Sequence, residues 1–325
     1  MKKIFSFFRL VSFGLALAVR LSAQEPDSTL TGLSLDELLN IKISAAAKYD
    51  QTISEAPASV TIITAEEIQA YGYETLEDVF KSVRGFYTSY DRNYSYLGAR
   101  GFSRPTDYNN RILLLINGHT TNENYYGATY IGTDAGLNLD MIERIEIVRG
   151  PSSALYGTSA LFAIINIITK TGGEIDGLEI SAGAGSYRKR RGTALFGKEF
   201  ANGVEMMISG LWVDSKGQDH YYREYDDPAT NNGVAQNLDA DKYAGAFANL
   251  AYKGWTLQGA FSSRRKGVPT GSFGAIFNDP AYRTTDEHAL AEIKYDGAIA
   301  ADKNLLWRGY YDYYGYNGTY PYEAV

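Results

Sequence analysis

Cysteine is absent from the 325-residue chain, so the protein has no thiolate metal ligand, no cysteine nucleophile and no disulfide to indicate its compartment. The net charge of −7 disfavours a nucleic-acid-binding surface. The three histidines are scattered without metal-ligand spacing, and no nucleophile elbow, phosphate loop or dinucleotide fingerprint appears. We therefore predict a protein that is not an enzyme, binds no nucleic acid and has neither a metal site nor a cofactor.

Long apolar runs are missing after the N-terminus, where residues 1–23 are predicted to form a signal peptide. Lys2 and Lys3 precede a mostly apolar stretch at residues 4–19, and small residues follow for cleavage before position 24. A membrane anchor is the alternative, but Arg9 and Arg20 leave a short apolar run for a helical span. No later run approaches the roughly 20 apolar residues that a span needs.

Glycine and tyrosine are abundant, with 33 and 27 residues, which favours a β-rich protein with aromatic surfaces. Residues 51–173 nevertheless read as a compact α+β domain. Thr64 with Glu67 forms a capping-box pattern for a helix that ends at Gly72, and a second helix is predicted from Thr75. An apolar strand then leads into Asn117-Gly118, the strongest hairpin-turn signal in the chain. The polar residues 120–133 that follow are predicted to be a surface loop.

The most distinctive stretch is residues 143–157. It reads as a short alternating strand that is stopped by Gly150-Pro151, followed by a turn that ends at Gly157. A second apolar strand follows at residues 163–168. An ordinary strand–turn–strand unit is the alternative interpretation of this stretch alone.

Helical periodicity disappears after Gly173, and residues 174–325 contain about seven alternating segments. In residues 255–265, Trp255, Leu257 and Phe261 face one way, whereas Gln258 and Arg264 face the other. Runs of about ten residues with one apolar and one polar face are typical of membrane β-strands. A soluble β-sandwich also alternates, but it would turn its apolar face inward.

The connections between these segments favour the membrane interpretation. Short turns at residues 201–203 and 253–254 alternate with long polar connections at residues 215–241 and 266–285. Outer-membrane barrels show this asymmetry between periplasmic turns and outside loops. Because an odd, open set of strands leaves an edge in lipid, we predict that the chain is the front part of a longer protein. A closed, stable barrel formed by these 325 residues alone would refute this.

Several motifs in order resemble those of the TonB-dependent outer-membrane receptors, a family of energy-coupled transporters. The matching segments are Ala99-Arg100-Gly101-Phe102, Leu115-Ile116-Asn117-Gly118, Arg144-Ile145-Glu146-Ile147-Val148-Arg149-Gly150-Pro151, Ser153-Ala154-Leu155-Tyr156-Gly157 and Ile165-Asn166-Ile167-Ile168-Thr169-Lys170. The resemblance covers nearly everything after the signal peptide. It implies an α+β plug domain followed by part of an antiparallel transmembrane β-barrel, which has 22 strands in the family.

The resemblance also implies location, partners and mechanism. The protein would lie in the Gram-negative outer membrane among lipid and bind a small-molecule ligand, most readily a ferric siderophore or similar iron complex, from outside. TonB and its proton-driven inner-membrane complex would pull on a periplasmic box to displace part of the plug. Residues 24–50 form the N-terminal extension that carries the candidate box, Ile41-Lys42-Ile43-Ser44-Ala45. From the residues alone, this segment is either an unpaired strand able to join another sheet edge or a disordered tether.

Further site residues follow from the resemblance. Arg100 and Arg149 match plug arginines that pair with barrel glutamates, although ordinary surface arginines are the alternative. The residues that match the ligand-facing plug apex are Arg104, Asp107, Tyr108, Tyr125 and Tyr126, each of which is otherwise a solvated loop residue. His119 offers a haem-iron ligand in principle, and the sequence favours a solvated loop histidine instead.

The resemblance leaves the ligand and the role open. Cobalamin, haem and oligosaccharide receptors share these motifs, so each is an alternative to the iron complex. A signalling receptor is disfavoured because residues 24–40 are too few for an extra domain with its own core. A truncated binding fragment that does not transport is the remaining alternative.

Overall fold

A computed structural model of the protein describes residues 42–43, 51–52, 59–104, 106–300 and 303–323. The predicted signal peptide lies outside these residues. Two short strands, β1 (Lys42–Ile43) and β2 (Gln51–Thr52), pair antiparallel. They precede an α+β unit and a large antiparallel sheet.

Within the described residues, the α+β unit contains seven further β-strands and four short α-helices. Its strands are β3 (Ser59–Thr64), β4 (Phe86–Tyr90), β5 (Ser95–Ala99), β6 (Ile112–Ile116), β7 (His119–Thr120), β8 (Ile142–Arg149) and β9 (Ala163–Thr169). Its helices are α1 (Ala65–Tyr71), α2 (Leu76–Ser82), α3 (Ser153–Tyr156) and α4 (Gly172–Ile175).

The helix ends follow the capping signals in the sequence. The Thr64 hydroxyl accepts a hydrogen bond from the Glu67 N–H, and α1 ends at Gly72, whose φ of 63° is left-handed. Thr75 and Asp78 form a reciprocal capping box at the start of α2. Each cap satisfies N–H groups that the first helical turn leaves free.

A five-stranded sheet with the order β3-β8-β9-β6-β7 forms the centre of the α+β unit. Strands β6 and β9 run parallel, and β8 pairs antiparallel with β3 and β9. Both faces of the central strands are buried: Ile145 and Ile165 belong to the main core, and Leu113 and Ile164 to a smaller cluster on the other face. Sheets that are covered on both faces have near-continuous apolar strands, as β6 and β9 have here.

The second unit is a seven-stranded antiparallel sheet with the order β10-β11-β12-β15-β16-β17-β18. Its strands are β10 (Gly177–Ala184), β11 (Arg190–Glu199), β12 (Glu205–Ser215), β15 (Asp241–Tyr252), β16 (Trp255–Gly267), β17 (Arg283–Ala300) and β18 (Lys303–Thr319). A small hairpin of β13 (His220–Tyr221) and β14 (Val234–Ala235) lies within the long connection between β12 and β15.

The two faces of the seven-stranded sheet differ in the way that the alternation predicts. Leu257 and Phe261 are exposed on one face of β16, whereas Gln258 and Arg264 are buried on the other face against the α+β unit. A soluble sandwich would bury the apolar residues instead. The structure therefore confirms the predicted fold class, a plug-type α+β domain packed on part of an antiparallel barrel sheet.

Aromatic side chains gather on the exposed face near the short turn at residues 253–254. The Trp255 ring lies 5.0 Å from that of Tyr295 and 6.2 Å from that of Trp307, measured between centroids. Such a belt at the ends of alternating strands is typical of the interface between hydrocarbon and headgroups. None of the helices in the described parts of the chain is long and apolar enough to cross a bilayer.

Candidate functional site

The residues predicted for the plug apex lie on two loops, one before β6 and one after β7. Tyr108 and Asn109 both adopt positive φ, 50° and 63°, in the turn before β6. The Asn109 side chain is buried, accepts from the Leu97 N–H at 2.7 Å, and donates to the carbonyls of Ser95 and Thr129. Because a buried amide rarely lacks partners, this residue fixes the turn that presents Tyr108.

Three of the five predicted apex residues form one aromatic group. The Tyr125 and Tyr126 rings meet edge to face with centroids 4.5 Å apart, and they are 79% and 59% exposed. Tyr126 lies 6.2 Å from Tyr108, which in turn packs edge-on against Tyr94 at 5.5 Å. Exposed rings held in such a group present apolar ring faces and polar hydroxyl groups to a ligand.

The other two predicted apex residues play different parts. The Asp107 carboxylate lies 3.5 Å from Nε of Arg111, so it forms an ion pair within the loop. Arg104 has an exposed side chain, and its carbonyl accepts from the Asp107 N–H at 3.1 Å. The structure thus brings Tyr108, Tyr125 and Tyr126 together and leaves Arg104 as a solvated loop residue.

A buried polar group, here called the loop contact, joins the plug to the large sheet and consists of Asn93, Tyr94, Asp241, Arg264 and Asp286. The Arg264 guanidinium is 1% exposed and donates to the Asn93 carbonyl at 2.7 Å. It lies 3.3 Å from Asp241 and 3.8 Å from Asp286. The Tyr94 hydroxyl donates to Asp286 at 2.8 Å, which ties the apex aromatics to β17.

Asp134 lies on the plug side of the loop contact. Burial raises the pKa of this carboxyl to about 7, and the nearby Arg264 opposes the rise. Within the described part of the chain, its Oδ2 has no hydrogen-bond partner. An acid whose pKa is raised into the neutral range therefore lies beside the loop contact.

A second polar group, here called the hairpin contact, consists of Gly118, His119, Glu292, Arg308 and Asp312. Asn117 and Gly118 form the predicted turn between β6 and β7, both at positive φ. His119, 3% exposed, has Nδ1 2.8 Å from Glu292 and Nε2 2.8 Å from Asp312. Arg308 donates to Glu292 at 2.7 Å and to the Gly118 carbonyl at 2.9 Å.

The prediction that His119 is a solvated loop histidine is wrong. Both ring nitrogens face carboxylates on strands β17 and β18, so this side chain is a plug-to-sheet bridge and has no nitrogen free for haem iron. The prediction of a surface loop at residues 120–133 is wrong in its second half, since Thr129, Tyr130 and Ile131 are buried. Tyr130 stacks on Tyr314 of β18, with centroids 5.9 Å apart.

Arg100 and Arg149 lie together at the corner after β8. The Arg149 guanidinium donates to the Arg84 carbonyl and, at 2.7 Å, to the Thr61 hydroxyl. Arg100 donates to the Arg149 carbonyl at 3.3 Å. Burial and the neighbouring Arg100 and Arg84 lower the pKa of Arg149, and within the described residues its Nε has no partner. The corner is thus a cationic group whose contacts in the structure are with neutral acceptors of the plug.

The candidate box is only partly described. Ile41, Ser44 and Ala45 lie outside the described residues, whereas Lys42 and Ile43 form β1 and pair with β2. From the sequence we expected this segment to be either an unpaired strand or a tether, and Lys42 and Ile43 are instead paired. A two-residue pairing is short, and isolated two-stranded hairpins are marginal in water.

Comparisons with known proteins agree with this architecture. The family profile described as "TonB-dependent Receptor Plug Domain" matches residues 52–164. The "Vitamin B12 transporter BtuB" of Vibrio vulnificus is 31% identical over 211 residues, which is 63% of this chain and 32% of that protein. The "Iron-regulated outer membrane virulence protein" of Vibrio cholerae is 34% identical over 164 residues, which is 49% of this chain and 23% of that protein.

Solved structures show the same fold. The siderophore receptor PiuA from Acinetobacter baumannii superposes with a TM-score of 0.60 at 18% identity, covering 87% of this chain and 40% of that one. The pyoverdine receptor FpvA from Pseudomonas aeruginosa gives 0.59 at 17% identity, covering 85% and 40%. This chain spans about a third or less of the curated relatives above.

The α+β unit, packed on an antiparallel sheet with an apolar outer face, has the fold of a plug domain with part of a barrel. Residues 52–164 match the plug domain of the TonB-dependent receptors, and the chain is similar to outer-membrane receptors of that family. One of the relatives above is named a transporter, and the two solved structures are named receptors.

Sequence reasoning missed both plug-to-sheet contacts, although part of the signal was present. Arg264, Glu292 and Asp312 occupy the polar side of their alternating strands, which marks them as inward-facing. Nothing in the sequence identified their plug partners, because His119 lies 173 residues away from Glu292 along the chain.

Proposed function

We propose that the protein is an outer-membrane receptor for the TonB-energised uptake of a scarce ligand, most readily a ferric siderophore or similar iron complex. The observation that carries this is the exposed tyrosine group of Tyr108, Tyr125 and Tyr126, mounted on a plug that packs on the inner face of the strands. Small-molecule sites are lined mostly by apolar and aromatic side chains with a small number of polar groups, and exposed tyrosines provide both.

The outer face of the sheet supports the membrane location. Ile208, Trp212, Leu257 and Ile293 are exposed on it, and Trp255 with Trp307 gathers near one set of strand ends. Large exposed apolar patches mark an interaction surface, and lipid is the partner that suits alternating strands of this length.

Cobalamin is the second candidate ligand, favoured by the relative of 31% identity that is named a vitamin B12 transporter. Binding of ferripyoverdine and of cyanocobalamin to the intact receptor in outer-membrane vesicles separates the two. We expect one probe to bind, and Tyr125→Ala with Tyr126→Ala to weaken it at least tenfold, since stacking on each ring contributes on the order of 1 kcal/mol. Binding that is unchanged in the double variant would contradict the assignment of the apex.

Energy coupling is proposed to act through residues 41–45. An extended segment joins a partner's sheet edge mainly through backbone hydrogen bonds, and the β1–β2 pairing is short enough to be exchanged for such a partner. Ile43→Pro removes an N–H and bends the strand. We expect this variant to bind ligand normally and to lose uptake, with Ile53→Pro beyond β2 as the control. Uptake that persists unchanged in Ile43→Pro would sink the assignment.

The cationic corner completes the proposal. Arg100 and Arg149 are proposed to pair with glutamates of the barrel, because the partly buried Arg149 has a buried Nε without a partner among the described residues, which suits a carboxylate fork. The described residues supply no such glutamate at this corner. In the working cycle, displacement of the plug breaks this pair together with the loop and hairpin contacts.

A further inference from the structure

The loop at residues 122–128, which carries Tyr125 and Tyr126, is closed on itself and tied to β6. The Glu123 N–H donates to the Ala128 carbonyl at 2.9 Å. The Asn122 amide accepts from the Leu114 N–H at 3.0 Å and donates to the carbonyls of Ile112 and Gly127 at 2.9 Å each. These bonds fix where the loop leaves and rejoins the plug.

Glu123 is buried at 6% exposure inside this loop, although the next three residues are exposed. Its carboxylate accepts three backbone N–H groups: those of Tyr125 at 2.5 Å, Tyr126 at 2.6 Å and Ala128 at 3.0 Å. Glutamates are almost never buried unless they are paired, and here the loop's own backbone provides the pairing. The carboxylate thus replaces the hydrogen bonds that a helix or sheet would give these amides.

Two of the three amides belong to the exposed tyrosines themselves. A hydrogen bond to the main-chain N–H of a residue fixes its backbone, and consecutive fixed residues set the angle between their side chains. The perpendicular arrangement of the two rings, with centroids 4.5 Å apart, is therefore set from beneath by the buried Glu123 carboxylate. Hydrogen bonds to an ionised acceptor are about twice as strong as neutral ones.

We propose that Glu123 is a positioning residue for ligand capture: it holds Tyr125 and Tyr126 as a rigid aromatic corner that receives a flat apolar face of the ligand. This rests on the proposed function in so far as the tyrosines touch ligand. Preorganisation of this kind raises affinity because the loop is already ordered before the ligand binds, so binding does not include the entropy cost of ordering it.

Glu123→Gln keeps the size of the side chain and replaces one acceptor oxygen with an NH₂ group that faces backbone donors. We expect the amides of Tyr125, Tyr126 and Ala128 to exchange hydrogen at least tenfold faster in this variant of the intact receptor, while the Leu114 amide is unchanged. Asn124→Ala, in the same loop and exposed, is the control and leaves all four rates as they are. Unchanged exchange at Tyr125 and Tyr126 in Glu123→Gln would overturn the positioning role, whether or not any probe binds.

Binding then separates positioning from a general structural role. With whichever of ferripyoverdine and cyanocobalamin binds the parent receptor, Glu123→Gln should weaken binding about tenfold. In the Tyr125→Ala, Tyr126→Ala background the same change should weaken binding less than twofold, because the corner is already gone. Equal losses in both backgrounds would overturn the proposal. If neither probe binds the parent, the iron-complex and cobalamin assignments fail, and the exchange experiment alone decides the role of Glu123.

Discussion

The two contacts between plug and sheet use opposite arrangements of charge. In the hairpin contact, a plug histidine lies between two strand carboxylates, and Arg308 completes the pairing of Glu292. In the loop contact, a strand arginine is surrounded by acids, while the plug supplies the neutral acceptor Asn93 and the donor Tyr94. In the first contact each carboxylate has an imidazole or guanidinium partner, whereas in the second one guanidinium lies among Asp241, Asp286 and the nearby buried Asp134, whose pKa is raised by burial. We therefore expect the hairpin contact to fix the plug and the loop contact to respond to pH.

The largest effect is expected from His119→Ala. It leaves a cavity beside Glu292 and Asp312 and removes a hydrogen-bonding partner from both carboxylates, which costs about 3 kcal/mol. Urea unfolding of the plug in the solubilised receptor measures the loss. His220→Ala, in the long connection outside the plug, is the control. A loss of under about 1 kcal/mol would mean that the hairpin contact does not fix the plug.

The next largest effect is a pH dependence of the free energy of unfolding, which we expect from Asp134. Because burial raises its pKa to about 7, the folded carboxyl keeps a proton that the unfolded chain releases near pH 4. The unfolded chain therefore binds fewer protons in this window, and stability falls as pH rises from about 4 to 7. We expect a fall on the order of 2 kcal/mol between pH 5 and pH 7 that is missing in Asp134→Asn. Identical pH profiles of stability for the parent and Asp134→Asn would mean that Asp134 does not titrate in this range.

The third test uses the close approach between the plug backbone and strand β15. A Cβ on Gly245 of β15 would lie 1.7 Å from the carbonyl oxygen of Gly136 in the plug, so the two backbones touch. Gly245→Ala should push the plug away at a cost of about 1–3 kcal/mol, as overpacking does. Gly210→Ala on the neighbouring strand β12 has no atom within 4 Å of the new Cβ and should be neutral. Equal stability of the two variants would contradict the plug's position on the sheet.

The smallest effect is expected from Tyr94→Phe. It removes the donor to Asp286 and leaves a buried carboxylate oxygen unbonded, at a cost of about 1–2 kcal/mol. Tyr71→Phe is the control, because this tyrosine of α1 is 70% exposed and lies outside the loop contact. Faster amide exchange at residues 91–94 should appear in Tyr94→Phe alone if the loop contact holds this loop to the sheet.

Local signals in the sequence predicted the local parts of the fold. Thr64 and Thr75 cap their helices, Asn117-Gly118 turns as expected, and Trp255 to Arg264 alternates between outer and inner face as predicted. Each of these depends on residues within a few positions, where sterics and hydrogen bonding decide. The family resemblance, not local pattern, selected Tyr125 and Tyr126.

The contacts between units could not be predicted in the same way. His119 reads as polar and next to a turn, and its burial depends on two carboxylates contributed by strands far along the chain. Glu123 reads as one more polar loop residue, and only the folded loop shows three amides converging on it. A single sequence carries no signal for such pairings.

The central claim is that the plug lies against the inner face of the strands in the position described, and the absence of cysteine makes this directly measurable. The side chains of Asn138 in the plug and Ser209 on β12 meet at 3.0 Å and are both buried. Asn138→Cys with Ser209→Cys in the intact receptor should therefore be joined by a short bifunctional thiol reagent, whereas Asn124→Cys with Ser209→Cys should not. Free thiols at both positions of the first pair, in folded receptor, would contradict the account.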